Sequence, residues 1–220
     1  MHLADLNWMD VERYLQHDNR IILITGATEQ HAYLSLLTDI RIPQAIADAV
    51  AEREGVLVAP PLNFGCSADF MEYPGTISLS LSTFAVVLTE IVDSLTRHGF
   101  RRFLIMNGHG GNALPPALEA GDGRRVVWYS WWQGEAVARF ATALGAEPDH
   151  ANWLENFPFT RVAEVPAGSK TLPLDWRRDG ITRAALGDGS FGGPYQMPDE
   201  AMLRLFDALV EEATALLRAL

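Results

Sequence analysis

Apolar residues along the chain fall into two kinds of segment that alternate. Short apolar runs occur at Ile21-Ile22-Leu23-Ile24, Val56-Leu57-Val58-Ala59, Phe103-Leu104-Ile105-Met106 and Val126-Val127-Trp128-Tyr129-Ser130-Trp131-Trp132. A strand covered on both faces loses its polar alternation, so these runs predict buried strands over 21–25, 56–59, 103–106 and 126–132. Between them apolar residues recur three or four apart. Val11, Tyr14 and Leu15 mark a short helix over 10–17. Ala45, Ile46, Ala49 and Val50 form a stripe behind Pro43, which a first helical turn accepts. Phe84, Val87, Leu88, Ile91, Val92 and Leu95 share a face behind a Ser82 or Thr83 cap. Gly55 and Gly99 end these two helices. Further helices are expected over 114–120, 135–144 and 198–220, the last with Met202, Leu203, Phe206, Leu209 and Val210 on one side. Gly121-Asp122-Gly123 reads as a turn, and 145–197, rich in Gly, Pro, Asp and Trp, reads as irregular.

Four strand–helix alternations predict an α/β fold, a parallel sheet covered by helices on both faces. Ligands in such folds sit beyond the carboxyl ends of the strands. The loop over 63–76 leaves one such end, is too long for a bare connection and is aromatic, so it is expected to border a substrate.

Composition narrows the function. With 220 residues and no linker-like stretch, one domain over 1–220 is expected, and 48% apolar residues suffice for its core. A formal charge of -11 and a pI near 4.9 argue against nucleic acid, which demands clustered Lys and Arg. Cys66 is the single cysteine, which rules out an intrachain disulfide and suits a reducing compartment. The first residues lack the basic and apolar regions of a signal peptide, and no apolar run approaches the roughly 20 residues of a bilayer span. A cytoplasmic protein with no membrane partner is the expectation.

Three loops at the predicted strand ends carry chemistry. In Thr25-Gly26-Ala27-Thr28-Glu29-Gln30-His31, the Glu and His two apart point the same way in an extended stretch, and Asp39 returns to them if the loop folds back. Two carboxylates and an imidazole suit a borderline divalent metal such as zinc or manganese. Alone, the stretch reads more readily as a solvated loop than as a metal site. Asn107-Gly108-His109-Gly110-Gly111-Asn112 turns sharply after a strand; it lacks the Walker lysine and the dinucleotide spacing. Asp149-His150-Ala151-Asn152-Trp153-Leu154-Glu155-Asn156 adds an imidazole and a carboxylate, and by itself reads as a surface segment. Together Glu29, His31, Asp39, His109, His150 and Glu155 fall on one edge of one sheet, enough for two metals bridged by a carboxylate.

The same stretches resemble, in order, the motifs of the creatininase (creatinine amidohydrolase) family. Gly26-Ala27-Thr28-Glu29-Gln30-His31 with Thr38-Asp39 is similar to its first motif, and Tyr73-Pro74-Gly75-Thr76 to its Pro-Gly-Thr loop. Asn107 to Asn112 is similar to its Asn-Gly-His-Gly-Gly-Asn motif, and His150-Ala151 with Glu155 to its His-Ala-Gly-x-x-Glu motif. The resemblance implies a three-layer α/β/α sandwich with a mostly parallel central sheet. It implies metal-dependent hydrolysis of a non-peptide amide, cyclic or formamide-type, at a dinuclear zinc or manganese site, iron being the other candidate. By motif, Glu29, Asp39 and His109 would hold one ion and His31, Asp39 and Glu155 the other. His150 would be the acid/base group, with Tyr73 and Trp153 near the substrate. The resemblance also implies a homo-oligomer, often a hexamer, and a small-molecule amide as partner.

The departures are specific. The family's first motif has one more residue between Glu and Asp and contains a Gly-Pro-His-Leu-Pro stretch where this chain has Ala32-Tyr33-Leu34-Ser35-Leu36-Leu37, and Gly111 stands where members acting on creatinine carry glutamate. Asn152 and Asn156-Phe157 replace the common features of the last motif. These changes leave the metal set intact and count against creatinine as the substrate. A peptidase of the same family that trims a modified peptide in cofactor maturation, and a non-catalytic metal-stabilised assembly protein, are the alternatives.

Overall fold

A computed structural model describes residues 1–119, 123–173, 176 and 180–220. Four parallel strands form the central sheet: β1 (Arg20–Thr25), β2 (Leu57–Val58), β3 (Arg102–Asn107) and β4 (Arg125–Ser130), in the order β2-β1-β3-β4. Register pairs Thr25 with Asn107 and Asn107 with Ser130, so the strand ends that launch the site loops are level with one another. The helices are α1 (Trp8–Leu15), α2 (Thr38–Glu54), α3 (Leu81–His98), α4 (Pro116–Glu119), α5 (Glu135–Leu144), α6 (Arg183–Leu186) and α7 (Asp199–Arg218). A small antiparallel pair, β5 (Ser169–Lys170) and β6 (Gly193–Pro194), lies outside the main sheet.

Alternation along the strands divides the core. Ile22, Ile24, Leu104 and Met106 face α2, α5 and α7; Ile21, Leu23, Phe103 and Ile105 face α1, α3 and α4. The result is the expected three-layer α/β/α arrangement, with both faces of β1 and β3 buried. No described helix is long and apolar enough to cross a membrane.

Several boundaries differ from the sequence expectation. α2 begins at Thr38, and Pro43 lies inside it. Pro43 has no N–H for the carbonyl of Asp39, and that carbonyl faces Gly26 and Gly108 at the ends of β1 and β3. Ser80, not Ser82 or Thr83, caps α3 by accepting from the Thr83 N–H. The fourth strand stops at Ser130, because Trp131–Gln133 closes into a 3-10 turn that buries Trp131. Leu203 of α7 is 51% exposed and Leu205 is buried: the stripe follows Met202, Leu205 and Leu209, three and four apart, and Leu203 is a third of a turn off it. The helix expected over 114–120 is the shorter α4, while Ala120, Gly121 and Asp122 fall outside the described residues.

Candidate metal centre

The site is built at the carboxyl ends of β1 and β3. Gly26 follows β1 and Gly108 follows β3, and both face the backbone carbonyl of Asp39 in the first turn of α2. A Cβ at either position would lie 2.3 or 1.8 Å from that oxygen. Only glycine lets the helix start wedge between the two loops. Asn107 holds the second loop by accepting from the His109 N–H (3.2 Å) and donating to the His109 carbonyl (2.9 Å). Asn112 ties three segments together: it donates to the Gly26 carbonyl (3.1 Å) and accepts from the Cys66 N–H (3.1 Å). The asparagines of the motif are thus loop braces.

Around this frame the structure brings together Glu29, His31, Asp39, His109, His150 and Glu155. Asp39 is at the centre, with Oδ1 2.9 Å from Nε2 of His31 and Oδ2 2.9 Å from Nδ1 of His109. Glu155 lies 3.7 Å from His31, and Glu29 lies 3.5 Å from His109 and 3.7 Å from His150. Two overlapping triads result, Glu29/Asp39/His109 and His31/Asp39/Glu155, with Asp39 in both; Glu29, His31 and His150 form a third. Ring tautomers are set from behind. His31 Nδ1 donates to the Glu29 carbonyl (3.0 Å), leaving Nε2 for the triad; His109 Nε2 donates to the Cys66 carbonyl (3.0 Å), leaving Nδ1.

Charge in this buried cluster is strongly coupled. Burial, with the Asp39 carboxylate adding to it, raises Glu29 to about 7. Burial also raises Glu155 to about 7, against the pull of His31. Burial opposes a charged His31 or His109, but the carboxylates, Asp39 foremost, outweigh it and raise them to about 10 and about 9. Burial would likewise raise Asp39, yet His31 and His109 hold it well below the usual carboxylate range. His150 moves the other way, because burial and the neighbouring His31 charge both keep it neutral.

The donor set fits a divalent ion. Glu29 Oε2, His31 Nε2 and Asp39 Oδ2 are buried without an aligned hydrogen-bond partner, although opposite charges stand at ion-pair distance. Natural structures rarely leave such atoms unsatisfied, and a metal at each triad would satisfy all three. The cluster opens into a cavity of about 380 Å³ walled by Phe70, Trp132, His150 and Phe191.

The creatininase (creatinine amidohydrolase) family model matches residues 4–217, nearly the whole chain. The chain belongs to the creatininase family. Creatinine amidohydrolase of Pseudomonas putida is 36% identical over 119 residues, 51% of this chain and 46% of that protein, so the match spans about half of that relative. Mycofactocin precursor peptide peptidase of Mycobacterium tuberculosis is 30% identical over 218 residues, 87% of this chain and 82% of that protein. A solved manganese creatininase and a zinc–zinc form of a creatininase mutant superpose with TM-scores of 0.80 and 0.79, at 24% and 25% identity; both alignments cover 99% of this chain and 97% of theirs. This family member therefore carries the hydrolase fold together with Asp, Glu and His clusters able to bind metal.

Two expected substrate residues are not brought to the cavity wall. Trp153 is fully buried in a 3-10 turn, its Nε1 donating to the Glu147 carbonyl (3.0 Å). Tyr73 is buried as well and does not line the cavity, since the loop over 63–76 turns Phe70 inward instead and leaves Met71 57% exposed. Gly111 lies against His109: a Cβ there would come 2.1 Å from the Cys66 carbonyl and 2.7 Å from His109 Nε2, so this backbone has no room for a glutamate at the position. Sequence reasoning missed Gln30, Ser67 and Phe191. Gln30 sits inside the first motif and could have been singled out there; Ser67 and Phe191 reach the site only through packing.

Proposed function

We propose that the 220 residues form one creatininase-like domain that hydrolyses the C–N bond of a small non-peptide amide, cyclic or formamide-type, using two divalent ions. The observation that carries this reading is the sharing of the buried Asp39 between two triads, each with one further carboxylate and one imidazole. Glu29, Asp39 and His109 would hold one ion, and His31, Asp39 and Glu155 the other. Zinc or manganese is the expected metal, with iron the other candidate. Ions bound there supply a water of lowered pKa and polarise a carbonyl oxygen.

The remaining work falls to the chain's own groups. His150 stacks on Phe70 at 4.7 Å between centroids and meets Phe191 at 4.9 Å with the rings tilted by 54°, which fixes its plane at the cavity wall. It is the acid/base group: kept neutral by burial, its ring N–H hydrogen-bonds to the leaving nitrogen, which takes up the proton that the attacking water gives away. Ligand sites commonly enclose roughly 300–1,000 Å³. At about 380 Å³ this one takes a small molecule or the end of a larger one. Glu29, Asp39, Asp69, Asp149 and Glu155 line it, and among the described residues no Lys or Arg does, which favours a neutral or cationic amide. The reading includes a homo-oligomer, hexameric by family resemblance, and a cytoplasmic setting.

A second reading, a peptidase acting on a short modified peptide, is favoured by the match to the mycofactocin precursor peptide peptidase across 87% of the chain. The test is amine release by zinc- or manganese-loaded protein from a panel of cyclic amides, formamides, creatinine and short peptides. Turnover of a non-peptide amide is expected. Turnover of peptides alone moves the protein to the second reading, and full metal with no turnover makes it a metal-stabilised binding protein. His150→Gln should keep its metal and lose about 10²–10⁴ in turnover, the usual span of general acid–base assistance.

A further inference from the structure

Gln30 lies between two candidate ligands in sequence, yet it belongs to none of the three triads. It is 5% exposed, and its amide makes three polar contacts. Oε1 accepts from the backbone N–H of Ala32 at 3.1 Å, Nε2 donates to the carbonyl of Gly189 at 3.1 Å, and Nε2 lies 2.8 Å from Nε2 of His150. A backbone N–H can only donate and a backbone carbonyl can only accept, so each end of the amide is assigned independently by a different partner. The group facing His150 is then the NH₂, a donor with no acceptor capacity. His150 Nε2 must accept, and a neutral imidazole that accepts at Nε2 carries its proton on Nδ1. Nδ1 is the nitrogen 3.7 Å from Oε1 of Glu29, on the side of the triads.

Both anchors of the amide are built with effort. Ala32 has a φ of 49°, a left-handed conformation costly for alanine, and its N–H is the one that pins Oε1. Gly189, at a φ of 97°, lies flat against the amide, where a Cβ would stand 1.9 Å from Oε1. The segment carrying Gly189 is tied down by Lys170, whose Nζ donates to the Leu186 carbonyl (2.5 Å), the Ser190 carbonyl (2.7 Å) and Asp188. Tyr195 donates to the other Asp188 oxygen at 2.7 Å. The glycine-rich stretch over 187–193 thus acquires a purpose: it clamps Gln30.

We infer that Gln30 is a positioning residue that locks His150 in the Nδ1–H tautomer, presenting its proton to the metal side of the cavity, with the loop around Gly189 as the clamp. This rests on the reading that places His150 at the leaving nitrogen, where the neutral ring serves as a hydrogen-bond donor. The test labels histidine rings with ¹⁵N and reads the protonation of each nitrogen by long-range ¹H–¹⁵N correlation, in metal-free and zinc-loaded protein. His150 signals are identified by their loss in His150→Gln. Wild type should carry the His150 proton on Nδ1. In Gln30→Glu the new carboxylate can only accept, so the proton should move to Nε2 while metal content and KM stay unchanged. Turnover should fall at least roughly ten-fold and up to about 10⁴, the loss a wrong tautomer brings in a serine protease. Gln30→Leu should give a mixture of tautomers. A wild-type ring protonated at Nε2, alone or together with Nδ1, overturns the inference, as does an unchanged tautomer in Gln30→Glu. The spectra need no substrate, so a wild type inactive on every amide would sink the functional reading and leave the tautomer result standing.

Discussion

Asp39→Asn keeps the size of the side chain and removes the one charge common to both triads. Without metal, Asp39 is what keeps His31 and His109 protonated against their burial, from 2.9 Å on each side. Both rings sit above the unfolded value of about 6.5, so their contribution to stability is complete below that pH. It is lost as the pH rises through about 9 and about 10. Asp39 itself is depressed, so its share is present above about pH 3.9 and is lost in stronger acid. The deficit of the variant is therefore greatest between about pH 4 and pH 6.5 and shrinks towards pH 10. Removing one partner of a buried ion pair costs about 3–5 kcal/mol. At roughly 2–4 °C per kcal/mol for a chain of this size, the Tm should fall by about 6–20 °C near pH 6, and by clearly less above pH 9. Circular-dichroism melts in chelator across this range measure it, alongside metal content after reconstitution, which should drop at both triads. A Tm difference independent of pH, or equal metal in the two proteins, would refute the central role of Asp39.

Metal loading near neutral pH should release at least about two protons, those of His31 and His109; titration calorimetry in buffers of different ionisation heat counts them, and release of none would mean the two rings are not ligands. His31→Ala should lose the ion of the His31/Asp39/Glu155 triad and keep that of Glu29/Asp39/His109, so elemental analysis showing both ions retained separates the triads from the ligands. Gly111→Glu should lower the Tm, because its Cβ collides with the Cys66 carbonyl and forces the loop to move at a cost of about 1–3 kcal/mol. It should not confer creatinine hydrolysis, and a variant of unchanged Tm that turns over creatinine overturns that reasoning.

The order and type of the elements are determined by the sequence itself. Ile21 to Ile24 and Phe103 to Met106 are unbroken because each strand is buried on both faces, and the stripes of α3 and α7 repeat because each helix covers only one face of the sheet. Glu29, His31 and His109 are legible for a related reason: they sit within short motifs directly after strands, where the backbone path is dictated locally. Only the tertiary structure decides the rest. The first turn of α2 lies against Gly108, about 70 positions further along the chain, a contact that no local pattern records. Trp153 carries an aromatic ring in a site motif yet faces the core, since the 3-10 turn around it buries it to satisfy its indole N–H on Glu147. Gln30 meets His150 across 120 residues, and Gly189 across 159. Hydrophobic periodicity reports how one segment meets the solvent; which donor faces which acceptor is decided only when distant loops are closed and packed against each other.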